Sequence, residues 1–110
     1  MFLSTFGGPG QGDGQLAGPT GIAVDPNGRC FVADHVNNRI DQFDRFGTLV
    51  RAWGTIGSGP GEFNVPIDVA ASAAGGIYVV DLANNRIQVF RDMPVAVANA
   101  TWGQVKSRYR

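Results

Sequence analysis

The sequence has little of what covalent, metal and catalytic sites are usually built from. Cys30 is the single cysteine and His35 the single histidine among 110 residues. One cysteine excludes a disulfide within the chain and a zinc site with several thiolate ligands. His35 has no second histidine at metal-ligand spacing, and no serine or cysteine nucleophile lies close to it in sequence. We therefore predict no catalytic residue, no bound metal and no cofactor, and a binding role is favoured over an enzymatic one.

An excess of charge of one sign and a long apolar run are also missing. Lys plus Arg is 9 and Asp plus Glu is 9, so the formal net charge is zero. Because charge-driven binding to nucleic acid needs an excess of cations, nucleic acid is disfavoured as a partner. No apolar run approaches the roughly 20 residues of a membrane helix, and the first residues do not resemble a signal peptide. The sequence predicts no membrane partner and indicates no compartment.

Glycine, by contrast, is abundant, with 16 residues beside 6 prolines. This composition argues against long helices and favours short strands joined by turns. The glycine-rich run 10–14 superficially resembles a phosphate-binding loop. It lacks the Lys-Ser or Lys-Thr pair that would end such a loop, and no helical pattern follows it. We therefore interpret the run as turn chemistry.

The chain repeats itself with an offset of 47 residues and no gap. Residues 6–47 and 53–94 share fourteen identities. The longest shared block is Asn-Asn-Arg-Ile, at 37–40 and again at 84–87. A period of this length is typical of solenoids, propellers and repeat arrays.

Each period contains the pattern of four short antiparallel strands. Apolar or alternating runs are bounded by turn residues such as those at 26–28, as expected for strands of a propeller blade. The predicted strands are 21–25, 29–34, 39–43 and 48–53 in the first copy, then 67–71, 76–81 and 86–90 in the second, with a fourth within 95–102. The predicted fold is therefore all-β, a partial propeller of two four-stranded blades plus one N-terminal strand.

The repeat boundaries give a division of the chain. Residues 1–6 match the fourth strand of a blade that is otherwise missing, so they are predicted to be a stray outer strand. Residues 7–53 form the first blade with its linker loop, residues 54–103 the second blade, and residues 104–110 a polar tail.

The order of these motifs resembles the NHL repeat. The motif residues are Pro-x-Gly-Ile-Ala-Val-Asp-Pro-Asn-Gly from residue 19, then Phe-Val-Ala-Asp, Asn-Asn-Arg-Ile and Phe43, and the second copy is similar over 77–90. The resemblance covers roughly residues 6–90 and implies a β-propeller, usually of six blades. Asp68 departs from the pattern, because it stands where the first copy has Gly21.

Two pairs of charged residues recur around the predicted hairpin loops. Asp34 and Asp81 each end a strand, and Arg39 and Arg86 open the next strand five residues later. A carboxylate and a guanidinium at this spacing can meet across a hairpin loop. Because the pair occurs in both copies, whereas catalytic sites seldom repeat, we predict a structural ion pair in each blade.

The resemblance implies a non-enzymatic module that binds a protein, peptide or carbohydrate through loops at one mouth of the propeller. The loops expected there are 8–20, 54–66 and the hairpin loops at 35–36 and 82–83. They differ between the copies while the strands do not, as expected of positions used for recognition. The candidate binding residues are Gln11, Asp13, His35, Val36, Ser58, Glu62, Leu82 and Ala83.

Two other functions remain open at the level of sequence. Some proteins with similar repeats are lyases or lactone hydrolases with a divalent metal in the central channel, for which the first strands here offer only Asp25 and Asp68. Resemblance to some animal relatives implies RNA binding by one propeller face, which the zero net charge disfavours.

Two blades alone would leave apolar faces in contact with water. Such faces favour association. We expect them to be covered by the remaining blades of a longer reading frame or by further copies of this chain, and three copies would complete six blades as a homotrimer. A stable monomer with two blades is the third possibility.

Overall fold

The structure is a computed structural model that describes residues 1–91. It confirms the all-β fold, with two antiparallel sheets that correspond to the two predicted blades. The first sheet contains β1 (Pro19–Val24), β2 (Cys30–Asp34), β3 (Arg39–Phe43) and β4 (Leu49–Trp53), and the second contains β5 (Pro66–Ala71), β6 (Gly76–Asp81) and β7 (Arg86–Arg91). Neighbours in sequence are neighbours in each sheet. The predicted fourth strand of the second blade and the polar tail lie outside the described residues.

The hairpin between the first two strands of each blade turns at a glycine with positive φ, 81° at Gly28 and 95° at Gly75. In the first blade, Oδ1 of Asp25 accepts backbone N–H bonds from Asn27 and Arg29 at 2.9 Å. The second blade has Ser72 instead, whose Oγ accepts the N–H of Gly76 at 2.9 Å. A serine hydroxyl therefore stabilises the turn where the first copy uses a carboxylate.

The main hydrophobic core lies between the two sheets. It contains Phe31, Ala33, Ile40 and Trp53 from the first blade and Phe63, Val69, Ile77, Val79 and Phe90 from the second blade and its linker. The ring of Trp53 contacts that of Phe90 edge to face, with centroids 5.7 Å apart. Each blade thus buries one face of its sheet against its neighbour, as expected of propeller blades.

The innermost strands of the two blades approach each other closely at Gly21. A Cβ atom at this position would lie 2.6 Å from the Cα atom of Asp68 on β5. Only glycine allows this approach, since real Cβ contacts are longer. The hydroxyl of Thr20 also donates to the carbonyl of Ile67 at 2.9 Å, which joins β1 to β5 beside the glycine.

Residues 1–6 lie outside both sheets. The ring of Phe6 packs on Phe43 with a centroid distance of 4.9 Å. The same 47-residue offset relates this pair to Trp53 and Phe90, so Phe6 occupies the place on the first blade that Trp53 occupies on the second. No strand partner for 1–6 exists within the described part of the chain, so their role as the outer strand of a neighbouring blade stays a prediction. Residues 1–91 contain no helix long and apolar enough to cross a membrane.

Candidate functional site

The predicted recognition loops meet at one edge of the two sheets. We call this surface the loop edge and define it as residues 8–18, 35–38, 54–65 and 82–85. The N–H of His35 donates to the carbonyl of Gly18 at 2.9 Å, and that of Leu82 donates to Val65 at 3.0 Å. The N–H of Val65 also donates to Oδ1 of Asn38 at 3.0 Å, which links the loop edges of the two blades.

A buried aspartate at the end of the second strand in each blade holds the linker loop in place. Both oxygens of Asp34 accept backbone N–H bonds from the first linker, one from Ala17 and one from Gly18, each at 2.9 Å. Asp81 accepts the N–H of Asn64 at 2.8 Å in the same way. Burial by itself would raise the pKa of Asp34, but these backbone bonds outweigh it and hold that pKa below the ordinary value.

The first asparagine of each Asn-Asn pair joins the aspartate to the start of the loop. Nδ2 of Asn84 donates to the carbonyl of Gly57 at 2.8 Å and to Oδ2 of Asp81 at 2.9 Å. Nδ2 of Asn37 makes the equivalent two bonds, to Gly10 at 3.2 Å and to Asp34 at 2.8 Å.

The arginine that opens the third strand binds three carbonyl groups of the linker loop. The guanidinium of Arg86 donates to the carbonyls of Ser58, Gly59 and Glu62 at 2.7–2.8 Å.

Arg39 donates in the same way to Gln11, Gly12 and Gln15 at 2.6–3.1 Å, positions offset by 47 residues. We call Asp34, Asn37 and Arg39, with Asp81, Asn84 and Arg86, the loop clamp of the first and second blade.

The ion pair predicted within each clamp forms in the second blade only. Nε of Arg86 lies 2.9 Å from Oδ2 of Asp81. In the first blade, Nε of Arg39 instead lies 3.1 Å from Oδ1 of Asp41. The prediction that Arg39 pairs with Asp34 is therefore wrong. The reason is a second carboxylate on β3 next to the guanidinium, while Asp34 is already held by backbone N–H groups.

Asp41 was not predicted to matter, because it is not repeated; the second copy has Gln88 at this position. Oε1 of Gln88 accepts the N–H of Gly61 at 2.9 Å, and its Nε2 donates to the carbonyl of Glu62 at 2.7 Å. Asp41 is fully buried. Burial raises its pKa, the charge of Arg39 lowers it in part, and the charge of Asp34 raises it again.

The predicted binding residues divide into exposed and engaged side chains. Val36 and Leu82 are 53% and 50% exposed, and Gln11, Asp13, Ser58 and Ala83 are also exposed. His35 is half-buried, and its Nδ1 lies 2.8 Å from the carbonyl oxygen of Gly18.

Oε1 of Glu62 accepts the N–H of Gly59 at 2.8 Å, which closes its own loop. Oε1 of Gln15 accepts the N–H of Gly12 in the equivalent bond. Gln15 and Glu62 are 47 residues apart and both carry an Oε1 acceptor, so the repeat could have revealed this bond. Binding by the eight candidate residues stays a prediction.

The two acids considered for a channel metal lie apart along their strands. Asp25 follows the end of β1 and is bonded to Arg29, with Nε 2.6 Å from its Oδ2. Asp68 lies near the start of β5, where its Oδ1 accepts the N–H of Val69 at 2.9 Å. Over residues 1–91, no group of three or more His, Cys, Asp or Glu side chains is placed to hold a metal ion.

Two sheets that pack face to face, each with its linker loop tied down at one edge, define adjacent blades of a β-propeller. The family model for the NHL repeat matches residues 16–43 and 63–90, just over half of the chain. The chain belongs to the NHL repeat family.

Among known proteins, the chain is similar to Protein lin-41 of Caenorhabditis elegans, with 50% identity over 48 residues. It is also similar to the E3 ubiquitin-protein ligase TRIM71 of Xenopus tropicalis and of Gallus gallus, with 48% identity over 44 residues in each. These matches cover 44% and 40% of this chain but only 4% and 5% of the relatives. The chain therefore spans a small part of the length of the curated relatives it matches.

Proposed function

We propose that this chain is a non-enzymatic NHL-repeat module that binds a protein, peptide or sugar through the loop edge. One observation supports this proposal above the others. The arginine of each loop clamp grips its linker through main-chain carbonyls, as with Arg86 on Ser58 and Gly59. Side chains at the tips of the loops are therefore free to point into solvent and to differ between the copies, as recognition requires.

The chemistry of the loop edge favours a protein or peptide among these ligands. Val36 and Leu82 give each hairpin loop a half-exposed aliphatic side chain, beside exposed polar side chains such as Gln11 and Asp13. Apolar groups surrounded by polar ones are typical of protein interfaces. Some relatives are named E3 ubiquitin-protein ligases, and in such a protein a module of this kind would recognise a partner.

Peptide and glycan arrays probed with the whole chain test this proposal. After a ligand is found, the double variant Val36→Asp/Leu82→Asp should lose binding while its melting temperature stays within a few degrees of the parent value. Phe46→Ser is the matched control, because Phe46 is 79% exposed in the β3–β4 hairpin at the opposite edge. Unchanged binding after all four loops are replaced would overturn the proposal.

The two alternative functions have direct tests of their own. RNA binding would appear as an affinity for single-stranded RNA that falls steeply with salt. Arg39 and Arg86, the clamp cations, already donate to loop carbonyls, so they favour this function less. A lyase or lactone hydrolase would show a stoichiometric divalent metal on elemental analysis of the purified protein.

A further inference from the structure

The interface between the two blades joins two different faces. The face of the second blade that carries Val69 and Phe90 is its front face, and the face of the first blade that carries Phe31 and Ile40 is its back face. Each blade has both faces. The front face of the first blade carries Leu16, Ile22, Cys30, Val32 and Phe43, and the back face of the second carries Tyr78, Val80 and Ile87, all at positions offset by 47 residues.

The middle of the open front face is buried within its own blade, where Cys30, Val32 and Phe43 form a small core with Leu16 and Leu49. Aliphatic residues on the first and third strands differ instead with the covering by a neighbouring blade. Val69 is 5% exposed on the covered front face, whereas Ile22 is 60% exposed on the open one. Ile40 is 0% exposed on the covered back face, whereas Ile87 is 63% exposed on the open one. Both residues of each pair are aliphatic. Their difference in exposure therefore comes from the neighbouring blade and not from the residue type.

The open front face contains an unfilled depression. A pocket of about 380 Å³ is lined by Phe6, Leu16, Ile22 and Val32, among others. On the second blade, the back face of the first blade fills the equivalent place. The first blade contributes Phe31, Ala33, Ile40 and Trp53 to the internal interface. Phe6 occupies the place of Trp53 on the open front face, so the chain already supplies one of these four contacts there.

We propose that the open front face binds a second copy of this chain, head to tail, through the back face of that copy's second blade. Tyr78, Val80 and Ile87 of the second copy take the places that Phe31, Ala33 and Ile40 hold in the internal interface. A second copy fits because the chain already forms this interface once and carries both halves of another. A head-to-tail contact either closes into a ring or continues as a filament, and the homotrimer expected from the sequence is the closed form.

Light scattering of the full chain and two blocked variants tests the proposal. The parent should have a mass well above 11.6 kDa. Ile22→Arg blocks the front face and Ile87→Arg the back face, so each variant alone should be a monomer. An equimolar mixture should give a dimer and nothing larger, because one unblocked front face meets one unblocked back face.

The controls separate loss of assembly from loss of folding. Circular dichroism should show unchanged strand content in both variants, because both side chains are more than half exposed. If Ile22→Arg unfolds, Val24→Arg on the same face, where Val24 is 61% exposed, replaces it. Val36→Arg at the loop edge should keep the parent mass, whatever it does to ligand binding, so this proposal and the proposed function fail separately.

Two results would overturn the inference. A folded parent of 11.6 kDa at high concentration would mean that the face is covered by other blades of a longer chain. Self-association of Ile87→Arg alone would mean that two front faces meet each other, which is a symmetric contact and not the head-to-tail one.

Discussion

The two blades have the same loop clamp but differ in the residue beside it. In the second blade, Gln88 ties the linker loop with a donor and an acceptor and has no charge to bury. In the first blade, the carboxylate of Asp41 is buried at that place and takes the Nε of Arg39 for its partner. Because burial raises the pKa of Asp41 and Gln88 has no titratable group, the comparison predicts that the two blades differ in how their stability depends on pH.

The blades also differ in whether a neighbouring blade covers the front face. Truncating a matched pair of residues on these two faces should have the largest effect on the free energy of unfolding. Phe63 is fully buried, whereas its equivalent, Leu16, is half-buried at the open face. We expect Phe63→Ala to lower the free energy of unfolding by about 3–5 kcal/mol and Leu16→Ala by about 1–2 kcal/mol. Urea denaturation measures both. Equal losses would show that the first blade is covered as completely as the second.

Removing the clamp arginines should have the next largest effect. Arg86→Ala removes three hydrogen bonds to loop carbonyls and the ion pair with the buried carboxylate of Asp81, so we expect a loss of about 1–3 kcal/mol. Arg39→Ala should cost a similar amount. Thermal unfolding measures the loss, and ligand binding should change only as far as the protein unfolds. A variant of Arg86 with parental melting and no ligand binding would contradict the structural role.

Asp41 and Asp34 should give the first blade opposite dependences on pH. The raised pKa of Asp41 means that the folded chain holds its proton more tightly, so stability is lost as pH rises through that pKa. The lowered pKa of Asp34 contributes stability above the ordinary value, and this is lost as pH falls through the folded value.

Asp41→Gln should remove the first of these dependences. A glutamine there can form the bonds of Gln88, so we expect a gain of about 1 kcal/mol at neutral pH. Urea midpoints between pH 4 and pH 8 measure it, and the parent should approach the variant toward low pH. Gln88→Glu is the matched control, because it should bring a similar loss at neutral pH into the second blade. A constant difference between Asp41→Gln and the parent would rule out titration of Asp41 as the cause.

The smallest expected effect concerns local opening of the blades. Cys30 is buried on the open front face, and burial raises the pKa of its thiol, so labelling by a thiol reagent should be slow in the folded chain. Its equivalent in the second blade is Ile77, 2% exposed on the covered face. In the double variant Cys30→Ile/Ile77→Cys, the thiol should label more slowly still. Faster labelling at position 77 would mean that the second blade opens first.

The sequence predicted what the repeat itself encodes. The 47-residue offset located seven strands and the Asp, Asn and Arg residues of each clamp, because these positions are constrained twice within one chain. The same logic failed at Asp41, a position that differs between the copies, since no repetition marks it. It also gave no sign that Ser72 would stabilise the turn where the first copy has Asp25.

Other features depend on contacts that the repeat pattern does not encode. The repeat assigns Phe6 to the fourth strand of a blade, but a strand forms only beside another strand. In the structure, the ring of Phe6 packs on Phe43, and residues 1–6 form no strand. His35 was predicted to be a binding residue of the hairpin loop, and the sequence did not reveal its contact with the carbonyl of Gly18, because that contact depends on how the linker folds back over the hairpin.

The loop clamps hold their linker loops by hydrogen bonds to main-chain carbonyl and N–H groups. These bonds do not depend on which side chains the loop carries. Arg39 and Arg86 donate to the main-chain oxygens of residues 11 and 58, although one is Gln and the other Ser. Substitutions at such positions therefore cost the fold little, and a combinatorial library at residues 11, 13, 58 and 60 should yield mostly folded proteins. New specificities could thus arise in either blade by point mutation, without compensating changes in the strands.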